Sequence, residues 1–335
     1  MAQIRSKPFG VTRQGANVTE YILSNPGGLT VSVLDYGCII KNIIVPAKNG
    51  PVDVVLGHDT MADYEDDFTS SGSTCCGAFV GRYANRIENA VFSVGGKTYQ
   101  LEANNGPNHL HGGLQGFDSK IWQVQEAARN TLVLTLHSPD GEENYPGNLE
   151  VVATYTLMEE TLHLRMEAYS DAATIVNLTN HAYWNLSGKP DINSMTLEVR
   201  ASAYTPVDET NIPDGRILPV EGTDFDLRRA ALLGERNSAA HPDTAAGLDH
   251  NYVLDSEPGD KIAAILLDPS SGHRLIVATD APGLQVYTGE YLPKARQGIA
   301  LEAQGFPNAV NVPHFPSVLL RPGQSVTRSI SWTIR

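Results

Sequence analysis

The stretch Thr131-Leu132-Val133-Leu134-Thr135-Leu136 places leucine at every second position. Successive side chains of a β-strand point to opposite faces, so this spacing puts the three leucines on one buried face. The same period of two recurs in Leu162-His163-Leu164-Arg165-Met166-Glu167 and again from 325 to 334, through Val326, Ile330, Trp332 and Ile334. These segments predict half-buried strands of antiparallel sheets.

Further strands and the turns between them follow outward from these segments. Strands are also predicted at 29–36, 39–45, 52–56, 149–157, 196–200, 275–279 and 284–288. Gly95-Gly96 joins two more, 91–94 and 97–101, into a hairpin, and Asn49-Gly50 and Asp140-Gly141 are further turn signals. Helical spacing is confined to short segments at 61–64 and 227–235.

Many strands and few helices predict an all-β fold, a large antiparallel β-sandwich with few short helices, rather than a doubly wound α/β fold. The chain has 335 residues, of which 41% are hydrophobic, so it can bury a large core. No linker, internal repeat or break in composition divides it. We therefore expect residues 1–335 to form a single domain.

Charge and cysteine content narrow the partners and the compartment. The chain has 38 acidic and 24 basic side chains, a net charge of -14, which opposes binding to nucleic acid or to an anionic membrane. A neutral small molecule is a better ligand. No apolar run is long enough to cross a bilayer, and residues 1–10 lack the apolar core of a leader peptide. Three cysteines, two of them adjacent at Cys75-Cys76, favour a reducing, cytoplasmic setting.

The run Asn177-Leu178-Thr179-Asn180-His181-Ala182-Tyr183-Trp184-Asn185-Leu186 combines an imidazole, two aromatic rings and three amides. Amides and imidazoles hydrogen-bond sugar hydroxyls, and an aromatic face covers the apolar side of a sugar ring. The run therefore indicates a sugar pocket, although an Asn-rich turn around a structural histidine has the same composition. In an extended segment Tyr183 and Trp184 point to opposite sides, so at most one of them faces the sugar.

Other polar residues have a functional and a structural interpretation. The segment 81–89 holds two arginines and two asparagines, which either reach a ligand or pair with carboxylates. His109 and His111 would share a face on a strand, a spacing that suggests a metal site, but no carboxylate completes a familiar ligand set, and we expect no metal. Glu302 stands in an otherwise apolar strand and is either solvent-facing or functional, as is Gln285.

Several motifs are absent from the sequence. It contains no Gly-x-Ser-x-Gly elbow, no phosphate-binding P-loop and no Gly-x-Gly-x-x-Gly fingerprint. Acyl transfer by that route, nucleotide hydrolysis and dinucleotide redox chemistry therefore lose support.

Six motifs in register resemble the aldose 1-epimerase (galactose mutarotase) family over nearly the whole chain, and two C-terminal motifs add to the match. In chain order the eight are Gly81-Arg82-Tyr83-Ala84-Asn85-Arg86-Ile87, Leu110-His111-Gly112-Gly113 with Gly116-Phe117-Asp118, the 177–186 run, Asp249-His250, Leu284-Gln285-Val286-Tyr287-Thr288-Gly289, Leu301-Glu302, Phe315-Pro316 and Leu320-Arg321-Pro322-Gly323. The family fold is a large antiparallel β-sandwich with the sugar in a cleft, which agrees with the strand pattern. Trp184 departs from the family, which often has Phe there, and Asn308 stands where an acidic residue is common.

The resemblance implies a role for each matching residue. Glu302 corresponds to the general base, His181 to the general acid, and His111 to a second histidine close to the sugar ring. The residues that hold or orient the sugar correspond to Asn85, Arg86, Asp249 and Gln285. Arg82 and His109 are motif neighbours without a catalytic role.

The implied activity is interconversion of the α and β anomers of a free aldohexose such as glucose or galactose. Ring opening, rotation and reclosure need an acid and a base but no redox cofactor. The sequence does not fix the oligomeric state, and we expect a monomer or homodimer. Three alternatives remain open: a glycoside hydrolase using Asp249 and Glu302, a hexose-6-phosphate epimerase, and a non-catalytic sugar-binding module.

Overall fold

Strands account for most of the regular structure in this computed structural model, which describes residues 3–48, 50–67, 73–236, 240–255 and 259–335. The strands in chain order are β1 (Gln3–Val11), β2 (Asn17–Ser24), β3 (Thr30–Leu34), β4 (Ile40–Val45), β5 (Val52–Asp53), β6 (Phe79–Val80), β7 (Arg86–Ile87), β8 (Val91–Val94), β9 (Lys97–Gln100), β10 (His109–Leu110), β11 (Gln123–Ala128), β12 (Thr131–Ser138), β13 (Leu149–Met158), β14 (Thr161–Ser170), β15 (Thr174–Ile175), β16 (Thr179–Asn180), β17 (Tyr183–Trp184), β18 (Thr196–Val199), β19 (Ala201–Thr205), β20 (Leu218–Pro219), β21 (Ala231–Leu232), β22 (Asp249–Leu254), β23 (Lys261–Leu267), β24 (Arg274–Thr279), β25 (Gly283–Tyr287), β26 (Ile299–Gln304), β27 (Leu319–Leu320) and β28 (Ser325–Ile334).

Helices are few and short in the same residues. The α-helices are α1 (Met61–Asp67) and α2 (Leu233–Arg236). Single 3₁₀ turns lie at Glu88–Ala90, Phe117–Ser119, Glu142–Asn144, Pro242–Thr244 and Ala309–Asn311. None of the described helices has both the length and the apolar character that crossing a membrane requires.

Three larger sheets organise the strands. A nine-stranded sheet has the order β11-β12-β13-β14-β28-β24-β23-β18-β21, a six-stranded sheet the order β17-β26-β25-β22-β19-β20, and a five-stranded sheet the order β1-β2-β3-β4-β5. Neighbouring strands in these three sheets pair antiparallel, as in the ten-residue register of β13 with β14. The predicted all-β fold is therefore confirmed.

The alternating leucine pattern forms the middle of the nine-stranded sheet. Leu132, Leu134 and Leu136 are buried on β12, and their neighbours in the strand are more exposed. Strand β14 shows the same alternation, since Leu162, Leu164 and Met166 are buried. The period of two thus identified the core face of these strands correctly.

The turn predictions were more accurate than the helix predictions. Gly95 and Gly96 form the predicted hairpin between β8 and β9 with φ values of 61° and 77°, which glycine adopts without strain. Asn49 lies outside the described residues. Asp140-Gly141 also forms the predicted tight turn, since the N–H of Glu142 donates to Pro139 O at 3.1 Å and Gly141 has a φ of 84°. The 227–235 helix prediction is wrong except in its last residues, because Ala231–Leu232 pairs as β21 with β18.

Side chains from all three larger sheets meet in one buried cluster. It includes Val31 of the five-stranded sheet, Leu164 and Trp332 of the nine-stranded sheet, and Leu284 and Leu301 of the six-stranded sheet. Faces of different sheets that share one core make a sandwich, as predicted. The shared core supports our proposal that the chain forms a single domain.

Candidate active site

One face of the six-stranded sheet carries the polar residues of the site. Directly paired residues of antiparallel strands lie on the same face, and so do residues two apart along one strand. Glu302 of β26 pairs with Gln285 of β25, which pairs with Asn251 of β22. The neighbouring row contains Asp249 and Tyr287. Short cross-strand distances thus bring together residues that are far apart in sequence.

A cavity of about 630 Å³ opens above this face. The volume lies in the usual range for small-molecule sites. Its wall combines polar and apolar surface, and three of the lining side chains are tyrosines. The lining residues are Ser73, Thr74, Asn85, Arg86, Asn105, Gly106, Pro107, Leu110, His111, His181, Tyr183, Glu209, Thr210, Asn211, Asp249, Tyr287, Tyr291, Leu292 and Glu302.

Glu302 and His181 form a close pair at the floor of the cavity. Glu302 Oε1 lies 3.5 Å from His181 Nε2, and the two side chains are 2% and 5% exposed. Within the part of the chain that the structure describes, His181 Nδ1 and Glu302 Oε2 make no hydrogen bond. Buried polar atoms are nearly always hydrogen-bonded in folded proteins, so both atoms are available to a polar ligand in the cavity.

Burial favours the neutral form of both members of the pair. It raises the pKa of Glu302 well above its usual value, with a further contribution from the charge of Asp249, and it lowers the pKa of His181 to about 4. One proton shared by the pair is therefore held mainly by Glu302 when no sugar is bound. Coupled groups of this kind titrate as a unit with two apparent pKa values.

His111 is fixed as a hydrogen-bond donor to the cavity. Its Nδ1 accepts a hydrogen bond of 3.2 Å from the backbone N–H of Asn85, and the backbone N–H of His111 donates to Asn85 O. Burial lowers the pKa of His111 well below its usual value, so the ring is neutral. In a neutral ring whose Nδ1 accepts, Nε2 carries the proton. The ring of His111 lies 5.3 Å from that of His181 in an edge-to-face arrangement.

Polar contacts connect Arg86, Asp249 and Gln285. Arg86 Nε donates to Asn105 Oδ1 at 2.9 Å, and its Nη1 lies 3.7 Å from Asp249 Oδ2. Gln285 Nε2 donates to Asp249 Oδ1 at 2.7 Å. Asn211 Nδ2 contacts the other Asp249 oxygen at 3.4 Å. Gln285 was predicted to bind the sugar, but it does not line the cavity and instead contacts Asp249, which does.

The three amides of the 177–186 run are structural, and their interpretation as sugar partners is wrong. Asn177 Nδ2 donates to Ala84 O and Gly305 O, and its Oδ1 accepts from the N–H of Gly305. Asn180 and Asn185 likewise bind backbone carbonyls, those of Gly77, Lys189 and Gln297. These bonds tie the run to neighbouring strands and hold His181 at the cavity floor.

Only one of the two adjacent aromatic residues reaches the cavity, as the sequence predicted. Tyr183 lines it, with its ring centroid 4.8 Å from that of His181. Trp184 points into the core, where its ring lies 6.1 Å from Trp332. The alternation of a strand separates them.

Arg82 and His109 serve the scaffold. The Arg82 guanidinium makes five hydrogen bonds to oxygens of residues 138, 139, 146 and 147. His109 Nδ1 lies 2.7 Å from Glu102 O, and its Nε2 lies 2.7 Å from the Tyr145 hydroxyl. His111 has a φ of 53° and leaves the strand after Leu110, so the two histidines do not form a His-x-His metal pair.

His111, His181 and Glu302 are the group whose geometry comes nearest to a metal site among the described residues. Their ligand atoms lie within 4.8 Å of one another. Ligands 2.0–2.1 Å from a tetrahedral ion are roughly 3.4 Å apart, so the group would have to contract. The proton on His111 Nε2 would also have to leave. The geometry therefore suits a sugar better than a resident ion.

Sequence reasoning did not single out several cavity residues. Tyr287 shares a strand face with Gln285, two positions earlier, and strand alternation is the signal that could have identified it. Asn105 and Asn211 reach the cavity from loops, where no periodic pattern exists. Their positions depend on the tertiary fold.

Comparison with known proteins gives one consistent result. The family model described as "Aldose 1-epimerase" matches residues 19–333. Galactose mutarotase from Sus scrofa is 40% identical, covering 100% of this chain and 99% of that protein. Aldose 1-epimerase from Escherichia coli K12 is 34% identical, covering 90% and 91%.

Solved structures agree. An aldose epimerase homologue from C. elegans superposes with a TM-score of 0.87 at 30% identity, covering 99% of both chains. Galactose 1-epimerase from Lactobacillus acidophilus gives a TM-score of 0.86 at 30% identity, covering 100% of this chain and 99% of the other. With full-length matches in both sequence and fold, the chain belongs to the aldose 1-epimerase family.

Proposed function

We propose that the protein is an aldose 1-epimerase that interconverts the α and β anomers of free aldohexoses such as galactose and glucose. The observation that carries the proposal is the pair formed by Glu302 Oε1 and His181 Nε2, 3.5 Å apart at the floor of the cavity. The anomeric hydroxyl and the ring oxygen are both bonded to C1 of the sugar. An acid and a base that serve these two oxygens must therefore be neighbours, as Glu302 and His181 are.

Ring opening then proceeds by two proton transfers. Glu302 removes the proton from the C1 hydroxyl while His181 protonates the ring oxygen, and the bond between C1 and the ring oxygen breaks. The aldehyde rotates about the bond between C1 and C2. Closure on the other face returns the proton from Glu302 to the new C1 hydroxyl and the ring-oxygen proton to His181. No atom is oxidised, so the chemistry requires no redox cofactor.

The charge state that opens the ring is Glu302 ionised and His181 protonated, the opposite of what burial favours in the empty site. The bound sugar resolves the conflict, because its C1 hydroxyl donates to the carboxylate and its ring oxygen accepts from the imidazolium. Hydrogen bonds to a charged form stabilise that form. The sugar thus prepares the pair for reaction.

We assign the remaining residues to binding and orientation. His111 Nε2–H donates to the sugar ring or a hydroxyl beside it, and Asn85 fixes the tautomer of His111. Arg86 and Asp249 bind hydroxyl groups, and Gln285 holds Asp249 in place. Tyr183 and Tyr287 supply apolar surface along the cavity wall.

The cavity favours a free sugar over a phosphorylated one. Among the described residues that line it, Arg86 is the one Lys or Arg, and Asp249 lies 3.7 Å from its guanidinium. Glu209 and Glu302 add two further carboxylates to the lining. A phosphate group needs an unmatched cationic partner, so a hexose 6-phosphate is a poor ligand for this arrangement.

Compartment and assembly complete the proposal. The three cysteines, Cys38, Cys75 and Cys76, are buried free thiols, which suits the reducing cytoplasm. For the oligomeric state, a monomer or homodimer remains our prediction.

Polarimetry on a panel of pure anomers tests the proposal. We expect the protein to accelerate mutarotation of α-D-galactose and α-D-glucose at catalytic concentration, to act weakly on glucose 6-phosphate and to leave methyl glycosides intact. Release of reducing sugar from a methyl glycoside would identify a hydrolase instead. Equal mutarotation rates with and without protein would identify a binding module.

A further inference from the structure

The loop between β25 and β26 connects the strand of Gln285 to the strand of Glu302 and forms part of the cavity wall. Tyr291 and Leu292 lie in this loop and line the cavity. Tyr291 is 80% exposed, so contacts with the core do not fix its position. Its backbone N–H donates to the Tyr287 hydroxyl at 2.7 Å, and the two rings stack at 6.3 Å.

Arg296 is a buried residue that ties this loop to other parts of the chain by hydrogen bonds. Its side chain is 8% exposed and uses all three guanidinium nitrogens: Nη1 donates to Glu290 Oε1 at 2.7 Å, Nε to Asn193 Oδ1 at 2.7 Å, and Nη2 to Leu233 O at 3.0 Å. Its backbone N–H also donates to Gly289 O at 2.9 Å. The two ends of the segment 289–296 are therefore joined to each other and to two other parts of the chain.

The same network reaches the strand of Asp249. The Glu290 carboxylate accepts hydrogen bonds from the Thr288 hydroxyl at 2.7 and 2.8 Å. That hydroxyl in turn accepts the N–H of Leu248 at 2.8 Å, directly before Asp249. Gly247 has no Cβ, and a Cβ there would lie 2.0 Å from Glu290 Cδ. Arg296, Glu290 and Thr288 thus link the loop to the residue that we assign to hydroxyl binding.

We propose that Arg296 is a positioning residue for sugar binding, which acts through Glu290 on the Tyr291–Leu292 wall and on Asp249. This proposal rests on the proposed function, because it takes an aldose as the ligand of the cavity. Because the loop contributes Tyr291 and Leu292 to the cavity wall but supplies neither the acid nor the base, loss of the network lowers affinity in the ground state and the transition state alike. Such a loss raises KM and leaves kcat nearly unchanged.

The test compares Arg296→Met and Arg296→Lys with a matched control, Arg328→Met. Arg328 also forms a partly buried contact, with Asp280 O at 3.3 Å and Asp280 Oδ1 at 3.5 Å, but it does not line the cavity. We expect Arg296→Met to raise the KM for galactose about tenfold, equivalent to about 1.4 kcal/mol of binding, with kcat changed by less than about twofold. Arg296→Lys keeps the charge without the planar fork and should fall between. Arg328→Met should keep the wild-type KM.

A merely structural role predicts a different result. It would lower the folded fraction or the melting temperature of Arg296→Met and leave the KM of the folded protein unchanged, and that outcome would overturn the proposal. If Arg296→Met does not fold, Arg296→Lys and Glu290→Gln carry the test, and wild-type KM values in both would refute it.

Hydrogen–deuterium exchange separates this proposal from the proposed function, because it needs no substrate. Amides of the segment 289–296 should exchange faster in Arg296→Met or Arg296→Lys than in the wild type, and those of β13 should not. Unchanged exchange in the segment would argue against the network whatever the reaction is. A wild-type protein with no mutarotase activity but with loosening in these variants would refute only the function.

Discussion

Replacing Glu302 by Gln removes the proposed base and preserves its shape. The side chain is 2% exposed, and burial raises its pKa well above the usual value, so the folded protein already favours an uncharged side chain at this position. The amide therefore imposes no new desolvation cost, and we expect the free energy of unfolding at pH 7 to be no lower than in the wild type. The cavity wall of Arg86 and Asp249 is unchanged, so sugar should still bind.

The catalytic effect should be large. A positioned proton transfer contributes on the order of a hundred-fold to ten-thousand-fold, so kcat should fall by about that factor, or roughly 3–5 kcal/mol in activation free energy. Polarimetry from pure α-D-glucose measures the loss, and titration with sugar measures binding. Glu20→Gln is the matched control, because Glu20 is also buried but lies on β2, away from the cavity. Near wild-type acceleration by Glu302→Gln would refute the assignment of the base.

Three further predictions concern the acid, the pH profile and a buried carboxyl. His181→Ala should lose at least about a hundred-fold in kcat with little change in KM, and an unchanged kcat with a raised KM would contradict the role of His181 as the acid. The pH dependence of kcat/KM should be bell-shaped, because the active Glu302–His181 pair holds one proton. Activity should rise as the pH passes the lowered pKa of His181, about 4, and fall as it passes the raised pKa of Glu302. A profile that is flat over both pH ranges would contradict the assignment of the pair. Burial raises the pKa of Asp118 to about 7, so its stabilising contribution is complete below the unfolded pKa and is lost as the pH rises through 7. Asp118→Asn should therefore raise the free energy of unfolding more at pH 8 than at pH 5, by up to roughly 3 kcal/mol, and equal urea denaturation shifts at both pH values would show that Asp118 does not titrate this way.

The strands of the core were predictable because their pattern is local. Leucines at every second position from 132 to 136 needed only the geometry of one strand to reveal a buried face. The direction of the Glu302 side chain was harder to predict, since every residue of β26 is buried and no alternation shows which side faces the cavity. The pairing with Gln285, which no single-strand pattern contains, settles the direction of its side chain.

The candidate site was predictable mainly through motif resemblance. Inference from residue types and spacing alone was wrong for parts of it. Asparagines of the 177–186 run have the composition of a sugar site, yet their amides bind backbone carbonyls such as Ala84 O. The His109 and His111 spacing suggested shared ligation, but the positive φ of His111 turns it away from the strand. Asn211 reaches the cavity from one loop, and Arg296 lies behind another loop of the wall, so the positions of both depend on tertiary contacts.

Exchange spectroscopy by NMR on galactose labelled with ¹³C at C1 tests the central claim most directly. With wild-type protein in D₂O, the account predicts saturation transfer between the α and β C1 signals that grows with protein concentration, no deuterium at C1 or C2, and loss of the transfer in Glu302→Gln and His181→Ala. Deuterium at C2 would instead indicate an enediol reaction, and an exchange rate equal to that of buffer would contradict the claim that Glu302 and His181 open the sugar ring.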